Sequence, residues 1–383
     1  MRHITVFLSA TLLLAGCASE RAEIPPAELQ VRTSRAVAAN DALIERMLAT
    51  SEASLEADVA AGRRPSIDVL TLSGGADWGA FGAGFLHAWA QRPAADPLAM
   101  PEFDLITGIS TGSLIAPYTA MGKHAEVLAL FRNSDPEWSE ARVFSSLFSG
   151  QSLYDISKLE QAIDANTDKT VLPALLAPGA PRRNILIATT DVDLGILRAW
   201  DFTELAADRE RLRGVQRAAI AIPAAFEPVL VDGTLQCDAG ILMQLVAVAQ
   251  PERLAAFMKR WNAAHPQQPM RLRYWIVANN RVAEPPTTVQ PTWHGMFGRS
   301  MAMMLKAGVT APLTLLWLQT EVLKGDGLDV EFRWTAIPAD FPIDLSIPPF
   351  DQRITHALSD LGREIGNRPD PWNRQPPSPI RRP

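Results

Sequence analysis

The sequence predicts an α/β fold in which a mostly parallel sheet is flanked by helices. From residue 67 onward, short apolar segments alternate with helical patterns, and this alternation is typical of parallel strands that are joined by helices. The chain has 383 residues, of which 47% are hydrophobic, so it is long enough to bury a large core. No internal repeat of about 20–50 residues is visible, which argues against a solenoid or a propeller.

The predicted strands are short apolar runs with room for a helix between most of them. They cover residues 67–72, 103–107, 184–189, 198–202, 228–231, 272–278 and 332–336. A shorter strand, 235–237, leads into Asp238. Ahead of the sheet, residues 31–60 are periodic enough for one or two helices.

These patterns divide the chain into four segments. They are a leader (1–16), a tether and helical lead-in (17–65), the α/β domain (66–366), and a proline-rich tail (367–383) that we expect to be extended or disordered. Within the domain, residues 308–323 are notably apolar but too short for a membrane span, which takes about 20 apolar residues. This stretch favours a core helix, and a lipid-facing helix is the alternative.

Composition excludes several classes of protein. With 20% charged and 47% hydrophobic residues the chain is not intrinsically disordered, and its 23 glycines have no collagen period. The formal net charge of −6, without a basic stripe, disfavours a nucleic-acid partner. Two cysteines are too few for a disulfide scaffold or for a zinc site built mainly on thiolates.

The first residues have the layout of a secretory signal, because Arg2 precedes an apolar run of 11 residues (4–14). Residues 14–17, Leu-Ala-Gly-Cys, also resemble a bacterial lipobox. This resemblance implies a lipoprotein signal peptide at 1–16 and an acyl anchor, such as palmitate, on Cys17. Alanine at residue 18 implies export to the outer membrane. An ordinary signal peptide with a chance cysteine is the alternative. With Cys17 acylated, Cys237 is expected to be a buried free thiol.

A glycine-flanked serine is the strongest local signal. Gly108, Ser110 and Gly112 form a Gly-x-Ser-x-Gly pattern between a predicted strand and an apolar helix. A nucleophile on such a sharp turn needs glycines for unusual backbone angles and close approach, and the N-terminus of the next helix favours developing negative charge. This context predicts a nucleophile; a simple turn serine is the alternative.

Two further segments can take part in the same chemistry. The pattern of residues 70–84 predicts a strand, a glycine-rich loop and a helix. A loop of this kind can turn its backbone N–H groups toward an anion. The anion is a nucleotide phosphate or an ester oxyanion, but no Gly-Lys-Ser/Thr is present for a phosphate. Close packing at small residues is a third interpretation. Asp238 ends a short strand before Ala239 and Gly240, where it projects into a site or caps a turn.

Together these segments resemble the patatin-like phospholipases, and more narrowly a bacterial lipoprotein branch of that family. The family has a glycine-rich oxyanion loop, a Gly-x-Ser-x-Gly turn and then Asp-Gly-Gly or Asp-Gly-Ala. The resemblance covers about residues 67–245, and more weakly the segment to 366. It implies a three-layer α/β/α sandwich in which Ser110 is the nucleophile and Asp238 its general base. It also implies an oxyanion hole at Gly74, Gly75 and Ala76, with motif glycines at Gly79, Gly108, Gly112 and Gly240.

The chain departs from the family pattern at three positions. Ala76 replaces the third loop glycine, Trp78 stands where a basic residue is usual, and Ala239 follows the aspartate. Loss of the basic side chain removes a charge near the loop, but backbone N–H donors are unaffected. Asp232, six residues before Asp238, is a rival for the base.

The resemblance implies a membrane-anchored serine lipid acyl hydrolase that cleaves lipid or small esters through an acyl-enzyme, without a metal or cofactor. A carboxylate at its ordinary pKa is a weak base, so Asp238 is expected to be buried with a raised pKa. One alternative is a catalytically weak lipoprotein that binds lipid or a partner. Another is an ordinary α/β-hydrolase whose Ser-Asp-His triad uses His265, His294 or His356.

Overall fold

A mixed sheet lies at the centre of the part of the chain that the structure describes. The computed structural model describes residues 21–142, 152–178, 183–246, 251–283, 285–344 and 347–377. The strands are β1 (Ser66–Leu72), β2 (Leu105–Gly108), β3 (Glu140–Ala141), β4 (Tyr154–Asp155), β5 (Asn184–Asp191), β6 (Ile196–Asp201), β7 (Val229–Val231), β8 (Thr234–Asp238), β9 (Arg271–Arg281) and β10 (Asp329–Ile337).

Within the described residues, eight strands form one sheet in the order β10-β9-β1-β2-β5-β8-β7, with β6 also paired to β5. The five strands from β10 to β5 are parallel, whereas β6, β7 and β8 add antiparallel pairs. The short strands β3 and β4 form a separate hairpin. We call the edge at which the parallel strands end the carboxyl edge of the sheet.

Helices cover both faces of the sheet. They are α1 (Pro26–Ala60), α2 (Gly79–Trp89), α3 (Thr111–Ala120), α4 (His124–Arg132), α5 (Ser157–Asn166), α6 (Leu172–Leu175), α7 (Phe202–Leu205), α8 (Arg209–Ile220), α9 (Pro251–Ala264), α10 (Trp293–Gly325) and α11 (Gln352–Gly366). Alternate residues of β1 face opposite layers, since Leu70 and Leu72 join one core cluster and Ile67 and Val69 the other. The predicted three-layer α/β/α sandwich is therefore confirmed.

The lead-in is one long helix and belongs to the packed structure. Leu43, Met47 and Leu55 of α1 are buried in the same cluster as Ile67 of β1. The side chain of Asn40 donates a 2.8 Å hydrogen bond to the carbonyl of Leu197, which ties the helix to β6. The predicted leader (1–16) and Cys17 lie outside the described residues.

The apolar stretch 308–323 forms part of α10, and the expectation of a core helix holds for one face only. Val309, Leu313 and Leu316 are buried against the sheet. Leu315 and Leu318, on the other face, are exposed. Among the described residues, residues 298–325 are long and apolar enough to cross a membrane, but only 18% of the apolar window is buried.

The first half of the expected tail has extended backbone and packs against the domain. Asn373 exchanges two backbone hydrogen bonds with Trp334, at 2.9 and 2.8 Å. The ring of Trp372 packs against Phe85, Trp89 and Trp275. Proline composition predicted extended backbone, but a single buried indole anchors this segment to the domain.

Cys237 is a buried free thiol, as expected. Burial raises its pKa to about 11, with the neighbouring Asp238 carboxyl adding to the rise. The thiol therefore stays protonated at neutral pH and has little nucleophilic character.

We expect Trp372→Ala to lower the free energy of unfolding by about 3 kcal/mol or more, because it removes a large side chain that is only 5% exposed. Trp293→Ala is the control, since that indole is 82% exposed. Denaturant unfolding of both variants measures the difference. Equal stabilities would show that the last segment contributes nothing to the core.

Candidate active site

Ser110 lies on the sharp turn between β2 and α3, at the carboxyl edge of the sheet. Its backbone has φ 51° and ψ −125°, a conformation that residues other than glycine rarely adopt. A Cβ atom on Gly112 would lie 2.4 Å from the carbonyl oxygen of Leu72, so only glycine lets the turn approach β1 this closely. Ser110 also caps α3, whose N-terminus carries partial positive charge.

Asp238 meets Ser110 because both strands pair with β5. Gly108 lies opposite Ile187, so Ser110, two residues further, reaches the level of Thr189, which itself pairs with Asp238. The Ser110 side chain lies within hydrogen-bonding reach of the Asp238 carboxyl group and lowers its pKa. The N–H of Gly240 donates to Oδ1 of the same group at 2.7 Å. Sheet register thus brings together the two residues that the sequence predicted as a pair.

The Asp238 carboxyl group is 3% exposed. Burial raises its pKa to about 6, and the hydrogen bonds from Ser110 and Gly240 oppose part of the rise. A carboxylate with a pKa near 6 is ionised at neutral pH and is a stronger base than an exposed aspartate. The expected burial and raised pKa of Asp238 are both found.

The glycine-rich loop packs directly against the serine. A Cβ atom on Gly74 would lie 2.9 Å from the Cβ of Ser110. Gly75 has φ 156° and Ala76 has φ 49°, so the chain turns sharply into the short 3₁₀ helix Ala76–Trp78. Among the described residues, no acceptor pairs with the backbone N–H of Gly74 or Gly75. Both donors are available to an oxyanion on a group that Ser110 attacks.

Two asparagines at the end of β9 hold this loop, and the sequence analysis did not identify them. The Asn279 side chain donates to the carbonyl of Ser73, and Asn280 donates to the carbonyl of Gly74, both at 2.8 Å. The backbone N–H of Asn279 also donates to the Ser73 hydroxyl at 2.8 Å. Their position in the sequence could have indicated this role, because the two asparagines directly follow the predicted strand 272–278. They therefore lie at the edge of the sheet where the other site residues lie.

Asp77 joins the loop to the far wall of the site. Its carboxylate accepts a 3.1 Å hydrogen bond from the backbone N–H of Phe350. Burial raises the pKa of Asp77, and backbone hydrogen bonds, first that of Phe350, act against the rise. This contact fixes Phe350, whose ring lines the cavity beside Ser110.

A positive charge lies near the loop although the usual basic residue is absent. The guanidinium of Arg281 lies 5.6 Å from the centroid of the Trp78 ring. A cation over an indole face is attracted by the ring quadrupole. The loop lacks the usual basic residue at position 78, and Arg281 of β9 places a positive charge beside the Trp78 ring instead.

A narrow apolar cavity of about 40 Å³ adjoins Ser110. Helices α3, α4, α5 and α8 supply most of its walls, and no charged residue is among the described lining residues. The lining comprises Ala76, Ser110, Thr111, Leu114, Leu130, Phe131, Trp138, Leu159, Ala162, Ile163, Ile220, Ile222, Phe226 and Phe350. Its lining favours an apolar group over a charged one next to the atom that the serine attacks.

The rival catalytic residues lie elsewhere. Asp232 occupies the β7–β8 turn, half exposed, in an ion pair with Arg211. His356 contacts the carbonyl of Arg132 at 2.8 Å, and His265 stacks on Trp261. The structure therefore does not bring these three residues to Ser110, and the side chain of His294 is outside what it describes.

The remaining expected residues have structural positions. Gly79 begins α2, and a Cβ atom there would lie 2.3 Å from the Thr111 hydroxyl. Asp191, the last residue of β5, is fully buried and accepts a 3.1 Å hydrogen bond from Gln236. Its contacts are those of a structural residue at the end of β5.

Comparison with known proteins places this geometry in context. Residues 70–248 match the family model described as Patatin-like phospholipase. The match contains the glycine-rich loop, the Ser110 turn and Asp238. It ends before Asn279 and Asn280. A search of curated proteins found no match. The domain found supports lipid acyl hydrolysis.

We expect Asn280→Ala to lower kcat for ester hydrolysis about ten- to a hundredfold with little change in KM, because the oxyanion donors lose their positioning contact. Asn40→Ala is the matched control, since Asn40 also donates to a backbone carbonyl at 2.8 Å but far from the loop. Steady-state kinetics on a soluble p-nitrophenyl ester measures both. An equal kcat in the two variants would contradict a positioning role.

Proposed function

We propose that this chain, whose residues 70–248 form a patatin-like phospholipase domain, is a membrane-anchored serine hydrolase that cleaves carboxylic esters of lipids through a Ser110–Asp238 dyad. The observation that carries the proposal is the contact between the Ser110 hydroxyl and the buried Asp238 carboxyl group. It occurs beside an apolar cavity and a loop whose Gly74 and Gly75 N–H groups have no acceptor among the described residues. These features supply a base, a nucleophile, an acyl site and oxyanion donors.

In the first half-reaction, ionised Asp238 accepts the proton of the Ser110 hydroxyl as the oxygen attacks the ester carbonyl carbon. Negative charge then develops on the carbonyl oxygen, where the N–H groups of Gly74 and Gly75 stabilise it. When the intermediate collapses, the bond to the alcohol oxygen breaks and Asp238 returns the proton to that oxygen. The acyl group remains on Ser110, next to the apolar cavity.

In the second half-reaction, water attacks the acyl-enzyme and Asp238 accepts its proton. Collapse releases the fatty acid and restores the Ser110 hydroxyl, so that one ester bond and one water molecule are consumed. The same carboxyl group serves both steps because its raised pKa lets it take and return a proton near neutrality.

The anchor is proposed at Cys17, with residues 1–16 as the signal peptide and the outer membrane as the destination. The first described residues support a short tether, since Arg21 forms a 2.7 Å ion pair with Asp193. Asp193 follows β5, the strand that pairs with both β2 and β8. The anchor would therefore be attached at the same edge of the sheet as the dyad.

We expect Ser110→Ala and Asp238→Asn each to lower hydrolysis by about 10²–10⁴-fold, because one removes the nucleophile and the other the base. The substrates are a medium-chain p-nitrophenyl ester and a phospholipid, and the protein is the mature chain with Cys17 replaced. Labelling by a fluorophosphonate should disappear in Ser110→Ala. An active Asp238→Asn variant would exclude the dyad, and an inert wild type would favour a lipid-binding lipoprotein.

Loss of activity in Asp238→Asn should not come from unfolding. The pKa of Asp238 in the folded state lies above its value in the unfolded state, so the folded state binds more protons between about pH 4 and 6. Ionisation of Asp238 therefore costs about 3 kcal/mol of stability above pH 6. Asparagine removes that cost, so the variant should be at least as stable as the wild type at pH 7. Denaturant unfolding at pH 5 and pH 7 measures it, with Asp232→Asn as the exposed control.

We expect the rate of fluorophosphonate labelling to fall as the pH decreases through about 6, because protonated Asp238 cannot accept the serine proton. The rate should be level above that pH and fall tenfold per unit well below it. His265→Gln and His356→Gln serve as controls and should leave the profile unchanged. A rate that stays level down to pH 4 would contradict Asp238 as the base.

A further inference from the structure

Helix α10 has two parts that differ in what they contact. The carbonyl of Gly308 accepts a 3.0 Å hydrogen bond from the backbone N–H of Gln244, six residues after Asp238. From Val309 onward, side chains of the helix are buried against the sheet. Before Gly308, the described side chains are exposed or half-buried. At about 1.5 Å per residue, this first part runs roughly 20 Å beside the active-site end of the domain.

This first part of the helix presents large apolar side chains to solvent. We define the apolar rim as Trp293, Met296, Met304 and Leu305 of α10 together with Ile241 and Leu242, all of which are exposed. Ile241 and Leu242 follow the dyad aspartate, and α10 contacts the 3₁₀ helix Ala239–Ile241. The rim therefore lies next to the catalytic residues, and a concentrated exposed apolar patch is typical of an interaction surface.

The charges along the rim favour an anionic lipid surface. No aspartate or glutamate occurs from residue 293 to residue 320, and Arg299 and Lys306 are the only Lys or Arg there. Basic residues beside exposed Trp, Met and Leu are typical of helices that lie in a bilayer interface.

The packing of α10 against the sheet disfavours an orientation in which the helix crosses a bilayer. Its apolar window has a mean hydropathy of 1.4, enough for a span by composition. However, Leu313, Leu316 and Leu323 are buried in the core cluster that covers β9 and β10. Insertion across a membrane would remove these side chains from the sheet and expose the cluster, whereas interfacial docking leaves them in place.

We propose that the apolar rim docks onto the surface of an anionic lipid bilayer and holds the Asp238 end of the domain against the lipid. This inference deepens the proposed function and rests on it for the substrate. The anchor supports it, because Cys17 is four residues before Arg21 and can reach only about 14 Å from the Arg21–Asp193 ion pair. Anchor and rim therefore hold the same end of the domain against the membrane.

The test uses the mature chain with Cys17→Ala, so that no acyl group contributes to binding. The rim variant is Met304→Gln with Leu305→Gln, which removes apolar surface without adding charge. The matched control is Val37→Gln with Leu176→Gln, two exposed apolar residues, of which the first lies on α1 and the second directly follows α6. Binding is measured by co-sedimentation with large unilamellar vesicles of phosphatidylcholine, with and without phosphatidylglycerol.

We expect the rim variant to lose about tenfold or more in vesicle partitioning and the control to bind like the wild type. Lys306→Gln should lose about fivefold on vesicles with phosphatidylglycerol and little on phosphatidylcholine alone. Hydrolysis of a soluble short-chain ester should be unchanged in all of these variants, while KM for vesicle phospholipid rises in the rim variant.

Equal vesicle binding by the rim variant and the control would overturn the inference. So would a wild type that does not bind the anionic vesicles. A dimer in analytical sedimentation that the rim variant abolishes would also overturn it, since a second copy would then cover the rim. Vesicle binding and sedimentation are measured without catalysis. A chain that binds vesicles but hydrolyses no ester would therefore contradict the proposed function and still support membrane docking by the apolar rim.

Discussion

The burial of one carboxyl group at the carboxyl edge of the sheet underlies the rest of this site. Asp238 is removed from water by the pairing of β8 with β5, and its few partners are the Ser110 hydroxyl and the N–H of Gly240. Desolvation makes the carboxylate more basic and also costs folding free energy. The higher basicity and the cost in folding free energy both come from the same burial. The free energy gained by packing the surrounding sheet and helices must therefore offset that cost.

The loop that faces the serine is held from a distant part of the chain. Ser73 and Gly74 are bonded by Asn279 and Asn280, and Asp77 is bonded by the backbone of Phe350. These contacts come from β9 and from the segment before α11, both outside the family match at 70–248. The remainder of the chain is therefore part of the proposed active site, because it holds the glycine-rich loop and one wall of the cavity in place.

The two ends of the chain are also joined to this structure. Helix α1 covers one face of the sheet, and Trp372 fills a gap among the aromatic rings on the other. Arg21 brings the N-terminal segment to the end of β5. The proposed anchor and the apolar rim then act on one rigid domain, so that orientation at a membrane needs no separate hinge.

Much of this protein was determined by its sequence alone. Alternating strands and helices predicted the α/β fold, because strand and helix patterns are local in sequence. The Gly-x-Ser-x-Gly pattern identified Ser110, because the close approach of this turn to its neighbours requires glycine. The sequence also favoured Asp238 over Asp232, and the tertiary structure gives the reason, since sheet register places Asp238 beside Ser110 and leaves Asp232 in a surface turn. Only the tertiary structure decided the roles of Asn280, Arg281 and Trp372, because hydrogen bonds and packing between segments far apart in sequence leave no local pattern. The tertiary structure also decided which face of α10 is buried, because a continuous apolar run does not indicate which side of the helix contacts the sheet.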